Sequence, residues 1–399
     1  MNENKIWDYT FAYSLVLLVP FDLLASLGMD LYLPSINDIG VAFNVSREQV
    51  QLTLTMYMAV LGLGQLIFGP LSDKFGRKPV VVTGALLYSL SSFVMPLSPS
   101  YDVFLALRLL QSLSASAVLV AAFATIRDVF SEREEGVVIY AIMGSVLACV
   151  PALAPFVGAL IDSHFHWQGI FYFLGIFSAL VFLQTIFKWP ETRPIHTRPF
   201  RFNRLFNIIG SKTFLGYTFA YAAAMGAFFA YFSTSPSILM TQIGLDKVDF
   251  SIWFGSVAVV MIITTRFVKR LVGRWGTEGT VFRGLGGLFV SAIILYLTEL
   301  IFGVSLLGFM LPMYLIGIHI ALVCSVSANG ALQAFSSSAG LATALYYALE
   351  SLYLSIAVTV LIELIPEGTS AIITSYIIVS TILAGIFILW GRRETNIAT

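Results

Sequence analysis

A helix of about twenty apolar residues is long enough to cross the ~30 Å hydrocarbon layer of a membrane. This 399-residue chain repeats such a run about twelve times. In lipid each spanning segment must satisfy its own backbone hydrogen bonds, so the runs are read as helices. They predict spans at about 12–34, 51–70, 79–97, 102–127, 137–161 and 168–189, then at about 212–240, 250–268, 282–302, 304–330, 339–364 and 370–391. Composition agrees: 11% of residues are charged, against about 25% in soluble proteins. The expected class is an all-α membrane protein, a multi-pass chain of twelve transmembrane helices in a lipid bilayer.

The same numbers exclude several functions. A net charge of zero offers no footprint for nucleic acid. Cys149 and Cys324 both sit in apolar runs, and the four histidines are scattered, so no metal site, disulfide or cofactor is expected. No nucleophile/base constellation suggests an enzyme, and nothing repeats as a selectivity loop of a channel. The first apolar run is too long for a cleavable signal peptide.

Basic residues orient the chain. With both termini in the cytoplasm, nineteen of the 22 Lys and Arg fall in inner segments. Arg47 and Lys247 fall outside, and Arg108 lies within a span. Such a bias is the positive-inside pattern. The longest connection, about 190–211, holds three prolines and several basic residues. It divides the chain into a six-helix half at 1–189, a cytoplasmic linker at 190–211 and a second half at 212–399. Asp73-Lys-Phe-Gly76-Arg77-Lys78 and Gly273-Arg-Trp-Gly276 occupy equivalent loops of the two halves, an internal repeat. Six-helix halves around a central cavity are a known transporter plan.

Within the spans a few polar residues stand out. An acid at a bilayer centre costs about 2.5–3.5 kcal/mol on insertion scales, yet the first helix carries Asp22 and Asp30. At about 1.5 Å per residue, Asp30 is expected roughly 5 Å and Asp22 roughly 17 Å below the outer end, with Arg108 roughly 9 Å deep in helix 4. Arg108 is expected to pair with Asp30, leaving Asp22 as the better proton carrier; the plain alternative is that either acid packs, Asp30 close enough to the surface to be wet. Glu350, another deep acid, shares a helix face with Tyr346 and Tyr353. It is read as a site for a cationic drug or a second proton, or as a neutral acid bonded within the bundle. Tyr217, Tyr221, Met225, Phe228 and Phe232 form one stripe, of which Tyr221 and Phe228, with Tyr57 of helix 2, are candidate contacts for an aromatic drug if they do not simply pack. Glu299 and Glu363 are expected to be solvated, and His319 to be a satisfied core residue.

Four motifs add detail. Gly69-Pro-Leu-Ser-Asp73-Lys-Phe-Gly76-Arg77-Lys78 closes helix 2. Its glycines permit a tight turn and close approach, and Asp73 is placed to pair with an arginine, Arg127 being the candidate. Helix 5 contains Gly144, Pro151, Pro155 and Gly158, small and bending residues that suit close packing. Helix 4 contains Leu107-Arg108-Leu-Leu-Gln111-Ser112. The fourth motif is Pro20-Phe-Asp22-Leu-Leu-Ala-Ser-Leu-Gly28-Met-Asp30-Leu-Tyr-Leu-Pro34.

The loop motif resembles the signature of the major facilitator superfamily, and helix 5 is similar to the antiporter motif of its drug-exporting members. Helix 4 resembles the motif whose arginine serves proton coupling, although Ser112 stands where the family usually has glycine. The stretch from Pro20 to Pro34, with Gln51-Leu-Thr-Leu-Thr, Phe123-Ala-Thr-Ile-Arg127-Asp128 and Asn329-Gly-Ala-Leu, resembles the chloramphenicol and florfenicol exporters. The resemblance implies a monomeric drug/proton antiporter of the bacterial inner membrane that exports phenicols and confers antibiotic resistance. It implies proton coupling at Arg108, with Asp22 and Asp30 as the acids read from the spans, and an inner latch of Gly69, Asp73, Gly76, Arg77 and Arg127. The drug contacts Asp22, Tyr57, Tyr221, Phe228, Tyr346 and Glu350 are read from the residues themselves, and the exporter pattern implies no acid at Glu350. A broader multidrug antiporter is the alternative, with a nutrient symporter behind it.

Overall fold

A computed structural model describes residues 7–130, 134–193, 202–366 and 368–397. Lys5, Arg133, Arg198 and Arg201 of the basic set, and the stretch 194–201 of the expected linker, lie outside the described residues. Regular structure among the described residues is helical throughout: α1 (Phe11–Asp30), α2 (Ile36–Phe43), α3 (Arg47–Phe75), α4 (Arg77–Val94), α5 (Tyr101–Phe130), α6 (Glu134–Lys188), α7 (Phe202–Gly210), α8 (Lys212–Ser235), α9 (Lys247–Phe302), α10 (Leu306–Leu332), α11 (Ala339–Leu364) and α12 (Ala371–Ile397). The chain divides into two compact units, Met1–Phe200 and Arg201–Thr399.

Among the described residues, ten helical runs are long and apolar enough to cross a membrane. Two of them are far too long for one crossing. At 1.5 Å per residue the 55 residues of α6 would reach roughly 80 Å. Each long run is broken once, α6 at His166 (φ 57°, ψ −179°) and α9 at Gly276 (φ 70°, ψ 171°). The chain turns back at both. Along α6, Gly158 lies against Leu31, Trp167 packs 5.7 Å from Phe43, and Gln184 has returned to Val16 near the start of α1. Along α9, Val257 lies against Gly317 before the break, and Gly284 and Gly287 lie against Val323 and His319 after it. With both breaks counted, the runs match the twelve spans read from the sequence.

Unit 1 packs α4 and α3 on α5, and α6 on α1 and α4. Small residues set the spacing, as at Gly84, which faces Ala117 and Val118 of α5. Unit 2 packs α12, α10 and α11 on α8 and runs α10 along α9. The α8 run is the buried centre, with 67% of its apolar window inside the protein, whereas the α9 run has 28% and turns Ile252, Val259, Ile263 and Phe267 outward.

Local chemistry moves several boundaries. The first run does not stop near Pro34. Proline is accommodated in the first turn of the short helix Leu33–Ser35, where no amide is required, and the apolar run continues to Phe43. Pro236 opens a wide-turned extension of α8 to Gln242. Helix α7, nine residues with Ile208 buried and Phe206 exposed, lies in the stretch read as linker.

Candidate functional site

In unit 1 the site grows from α1. Pro20 lacks an amide, so the carbonyl four residues earlier, Val16, has no partner in the helix. Gln184 supplies it, its Nε2 donating at 3.0 Å. Two residues on, Asp22 is 4% exposed; its carbonyl accepts from the Ser26 hydroxyl at 3.2 Å, and its carboxylate forms no ion pair among the described residues. Asp30 is 1% exposed, and its Oδ1 is buried without a partner. It is therefore not a wet residue near the surface, because the helical run extends well past it.

Arg108 of α5 is fully buried. Its Nη1 donates to the Gly28 carbonyl at 2.8 Å and to Gln111 Oε1 at 2.5 Å. The guanidinium carbon lies 4.4 Å from the Tyr32 ring centre and 4.6 Å from that of Tyr57, with Phe171 at 5.9 Å. Two aromatic faces and a carbonyl thus stabilise the cation where water cannot. Gln111 donates onward to Ser92 Oγ, and Ser92 to the Tyr88 carbonyl. Tyr88 and Tyr57 in turn donate to the Leu24 and Ala25 carbonyls, bracing α1 above Asp22. Gly28 is required here, since a Cβ would run into both tyrosine hydroxyls.

The expected ion pair between Arg108 and Asp30 is not formed. Arg108 is taken up instead by the Gly28 carbonyl, the Gln111 side chain and the Tyr32 and Tyr57 faces. Arg108 Nε and Nη2 stay unpartnered, as does Asp30 Oδ1. Ser112, which departs from the family's glycine, donates to the Tyr57 carbonyl at 2.5 Å and ties α5 to α3.

At Gly158 of α6 a Cβ would fall inside the Leu31 carbonyl, so this glycine sets the approach of α6 to α1 beside Asp30. Pro151 and Pro155 lie within the same helix, as does Gly144.

The loop after α3 holds a second cluster. Gly76 turns the chain at φ 110°, a conformation that favours glycine. Arg77, 1% exposed, donates to Asp73 at 2.5 Å, to Asp128 at 2.8 Å and to Ser72 at 3.1 Å. Asp128, not Arg127, completes the cluster. Arg127 is 52% exposed and only approaches Asp128, at 3.7 Å. Adjacent residues on α5 point about 100° apart, so only one of the two can face Arg77. Glu191 was not foreseen: its carboxylate accepts the amides of Arg77 and Lys78, at 2.8 and 3.1 Å, and caps α4. Gly69 does not serve a close approach, since a Cβ there would meet nothing within 4 Å.

In unit 2, Tyr221 of α8 packs its ring 4.9 Å from that of Tyr346 on α11. Glu350, one turn beyond Tyr346, is 4% exposed and accepts from Ser351 at 3.1 Å. Tyr353 turns away from them to bond Ser380 of α12. Phe228 is buried, its ring against Phe232 and Tyr231. His319 bonds the Leu315 carbonyl at 2.8 Å. Glu299 is not merely solvated; it accepts the Ser370 amide at the start of α12. A pocket of about 490 Å³ at the end of α10 is lined by Thr277, Asn329, Gly330, Leu332 and Gln333, none of them an expected drug contact. No group of His, Cys, Asp and Glu among the described residues could hold a metal ion.

The sequence profile of the Major Facilitator Superfamily matches residues 22–358, from the first acid of α1 into α11. The chain belongs to the major facilitator superfamily. This facilitator is 42% identical to a chloramphenicol resistance protein of Pseudomonas aeruginosa over 96% of its own length and 92% of the relative's. It is 33% identical to a bicyclomycin resistance protein homologue of Haemophilus influenzae (75% and 76% covered) and 29% identical to the multidrug resistance protein MdtL of Shewanella oneidensis (84% and 83%). Among solved structures it resembles a bacterial homologue of the human lysosomal transporter Spinster, in an inward-facing and occupied conformation. The TM-score is 0.72 at 14% identity, with 96% and 97% of the two chains covered, a likeness of fold. The protein is thus a multi-pass membrane transporter with the facilitator fold.

Proposed function

We propose that this facilitator exports phenicol antibiotics, chloramphenicol and florfenicol among them, across the bacterial inner membrane in exchange for protons. The observation that carries the reading is the 42% identity to a chloramphenicol resistance protein over nearly the whole chain. Transport runs by alternating access in a monomer with both termini in the cytoplasm. A proton arriving from outside neutralises Asp22, the deeper of the two α1 acids, whose carboxylate has no cation partner among the described residues. Arg108 is the switchable partner: its two free nitrogens and the free oxygen of Asp30 leave bonds to be made in another state. Asp73, Arg77 and Asp128 latch the loop after α3, with Gly76 as its turn. Asp22, Tyr57, Tyr221, Phe228, Tyr346 and Glu350 are the candidate drug contacts.

The test is a susceptibility panel in a drug-sensitive host with and without the gene, joined to energised vesicles. Chloramphenicol added to vesicles holding the protein should evoke a proton flux, and Asp22→Asn should abolish it. Co-uptake of drug and proton would mean a symporter. Full proton-driven export by Asp22→Asn, with loss in Asp30→Asn, would overturn the assignment of the proton to Asp22. The multidrug relatives favour a second reading, a broader antiporter; resistance extending well beyond phenicols would select it.

A further inference from the structure

Helix α7 is nine residues long. An isolated helix shorter than about 12–15 residues is marginal in water, so α7 depends on the surfaces it lies on. One side rests on unit 2: α7 packs against α8 and α11, and Ile208 is buried. Ser211 then ends the helix with an extended backbone, its amide donating to the Ile208 carbonyl at 3.1 Å. That single residue separates α7 from Lys212, where the apolar run of α8 begins. The sequence gives α7 two faces. Phe202, Leu205, Phe206 and Ile209, three and four residues apart, share an apolar face, while Asn203, Arg204 and Asn207 share a polar one. Phe206 is 69% exposed, so the protein leaves the apolar face uncovered there.

The charges around this face are of one sign. From Thr192 to Leu245 the sequence contains no acid. Lys212 Nζ lies 3.9 Å from the centre of the Trp390 ring of α12, which is itself 48% exposed. A Cβ at Gly391 would come within 3.2 Å of the Thr213 amide nitrogen, so the end of α12, with Arg392 and Arg393 on its last turns, lies beside the start of α8. A half-exposed tryptophan under a lysine, at the end of an apolar run, is the arrangement of a membrane–water interface. We propose that the apolar face of α7 lies in the bilayer surface and that Arg204 and Lys212, with the end of α12, hold anionic phospholipid headgroups there. The uncovered face is one residue from a span and so continues the lipid-facing surface of the protein. Anionic headgroups complement a stretch that has basic residues and no acids, whereas zwitterionic headgroups bring it no net charge.

Hydrogen exchange on the full chain in lipid nanodiscs tests this without any transport, so the result is independent of the export reading. One set of discs is phosphatidylcholine alone; the other contains about one third phosphatidylglycerol. The amides of α7 should exchange about tenfold or more slowly in the anionic discs, since each basic residue near an anionic surface contributes a factor of about five. Amides in the middle of α8 should exchange alike in both. The double variant Arg204→Gln/Lys212→Gln should lose most of the difference between the discs. Arg204→Lys/Lys212→Arg, which keeps both charges, should retain it. Phe206→Ser should speed exchange of α7 in both lipids, because the apolar contact is lost whatever the headgroup. Equal exchange of α7 in the two discs would overturn the proposal and leave the basic residues the role of setting topology alone. A difference that survives Arg204→Gln/Lys212→Gln would overturn it as well, and so would an α7 that is slowed only when a soluble protein is added.

Discussion

At the scale of single residues, Arg108 shows how a cation is tolerated in an apolar bundle without a counter-ion. Its charge is shared among a backbone carbonyl, an amide oxygen and two tyrosine faces. A lysine would offer a point charge without the planar fork or the stacking. Arg108→Lys should therefore lower proton-driven chloramphenicol export by about tenfold or more despite the conserved charge. Drug flux in vesicles, normalised to the amount of protein in the membrane, checks this; wild-type flux in the lysine variant would refute it. Arg108 stood out in the sequence because an arginine inside a span needs a partner or water, whether it serves coupling or only fixes helix packing. Its partner did not. Depth along a helix follows from counting residues, and on depth alone Asp30 was the obvious match. Which way the side chains point depends on where α5 meets α1, and that is set by Gly28, Tyr57 and Tyr88 together. Asp128 was hidden for a related reason: it adjoins Arg127, and only the packed rotation of α5 decides which of the two faces Arg77.

Among the elements, α1 and α6 depend on each other at two points. Gln184 completes the hydrogen bonding that Pro20 interrupts, and Gly158 lets the Leu31 backbone sit against α6. Gly158→Ala puts a methyl group where a carbonyl already is. The expected cost is about 1–3 kcal/mol, as for overpacking elsewhere. It would be read as a lower melting temperature in detergent together with reduced export; unchanged melting would show that α1 can shift freely. The spans themselves were legible because a twenty-residue apolar run has one use in lipid. Their ends were less so. Pro34 looked like a stop and is instead the opening of a further turn. The nine residues of α7 are too few to register beside windows of twenty. Of the stripe on α8, Phe228 packs on Phe232 of its own helix and Tyr221 on Tyr346 of α11.

For the molecule as a whole, the two units repeat a device. Gly76 and Gly276 sit in corresponding loops, both with positive φ and extended ψ, and each turns one span into the next. Unit 1 adds a fastening at this point that the sequence did not announce. Glu191, from the segment after α6, caps α4 through two backbone amides and occupies the space that a side chain at position 76 would fill. Removing it in Glu191→Ala should cost roughly 0.5–2 kcal/mol, the range for a lost helix cap. The amides of Arg77 and Lys78 should then exchange hydrogen faster, while those in the middle of α4 should not. Uniform exchange across α4 in both proteins would show that the cap is idle. The fastening also has a consequence for the order in which the protein is made. Glu191 follows Arg77 by 114 residues, so the ribosome must deliver the rest of the first six spans before the turn at Gly76 is secured. A nascent chain halted ahead of that residue would carry its first helices into the bilayer with the start of α4 still unfastened. Completion of unit 1 is thus timed by its last few residues, which act as a closing stitch on a segment inserted long before.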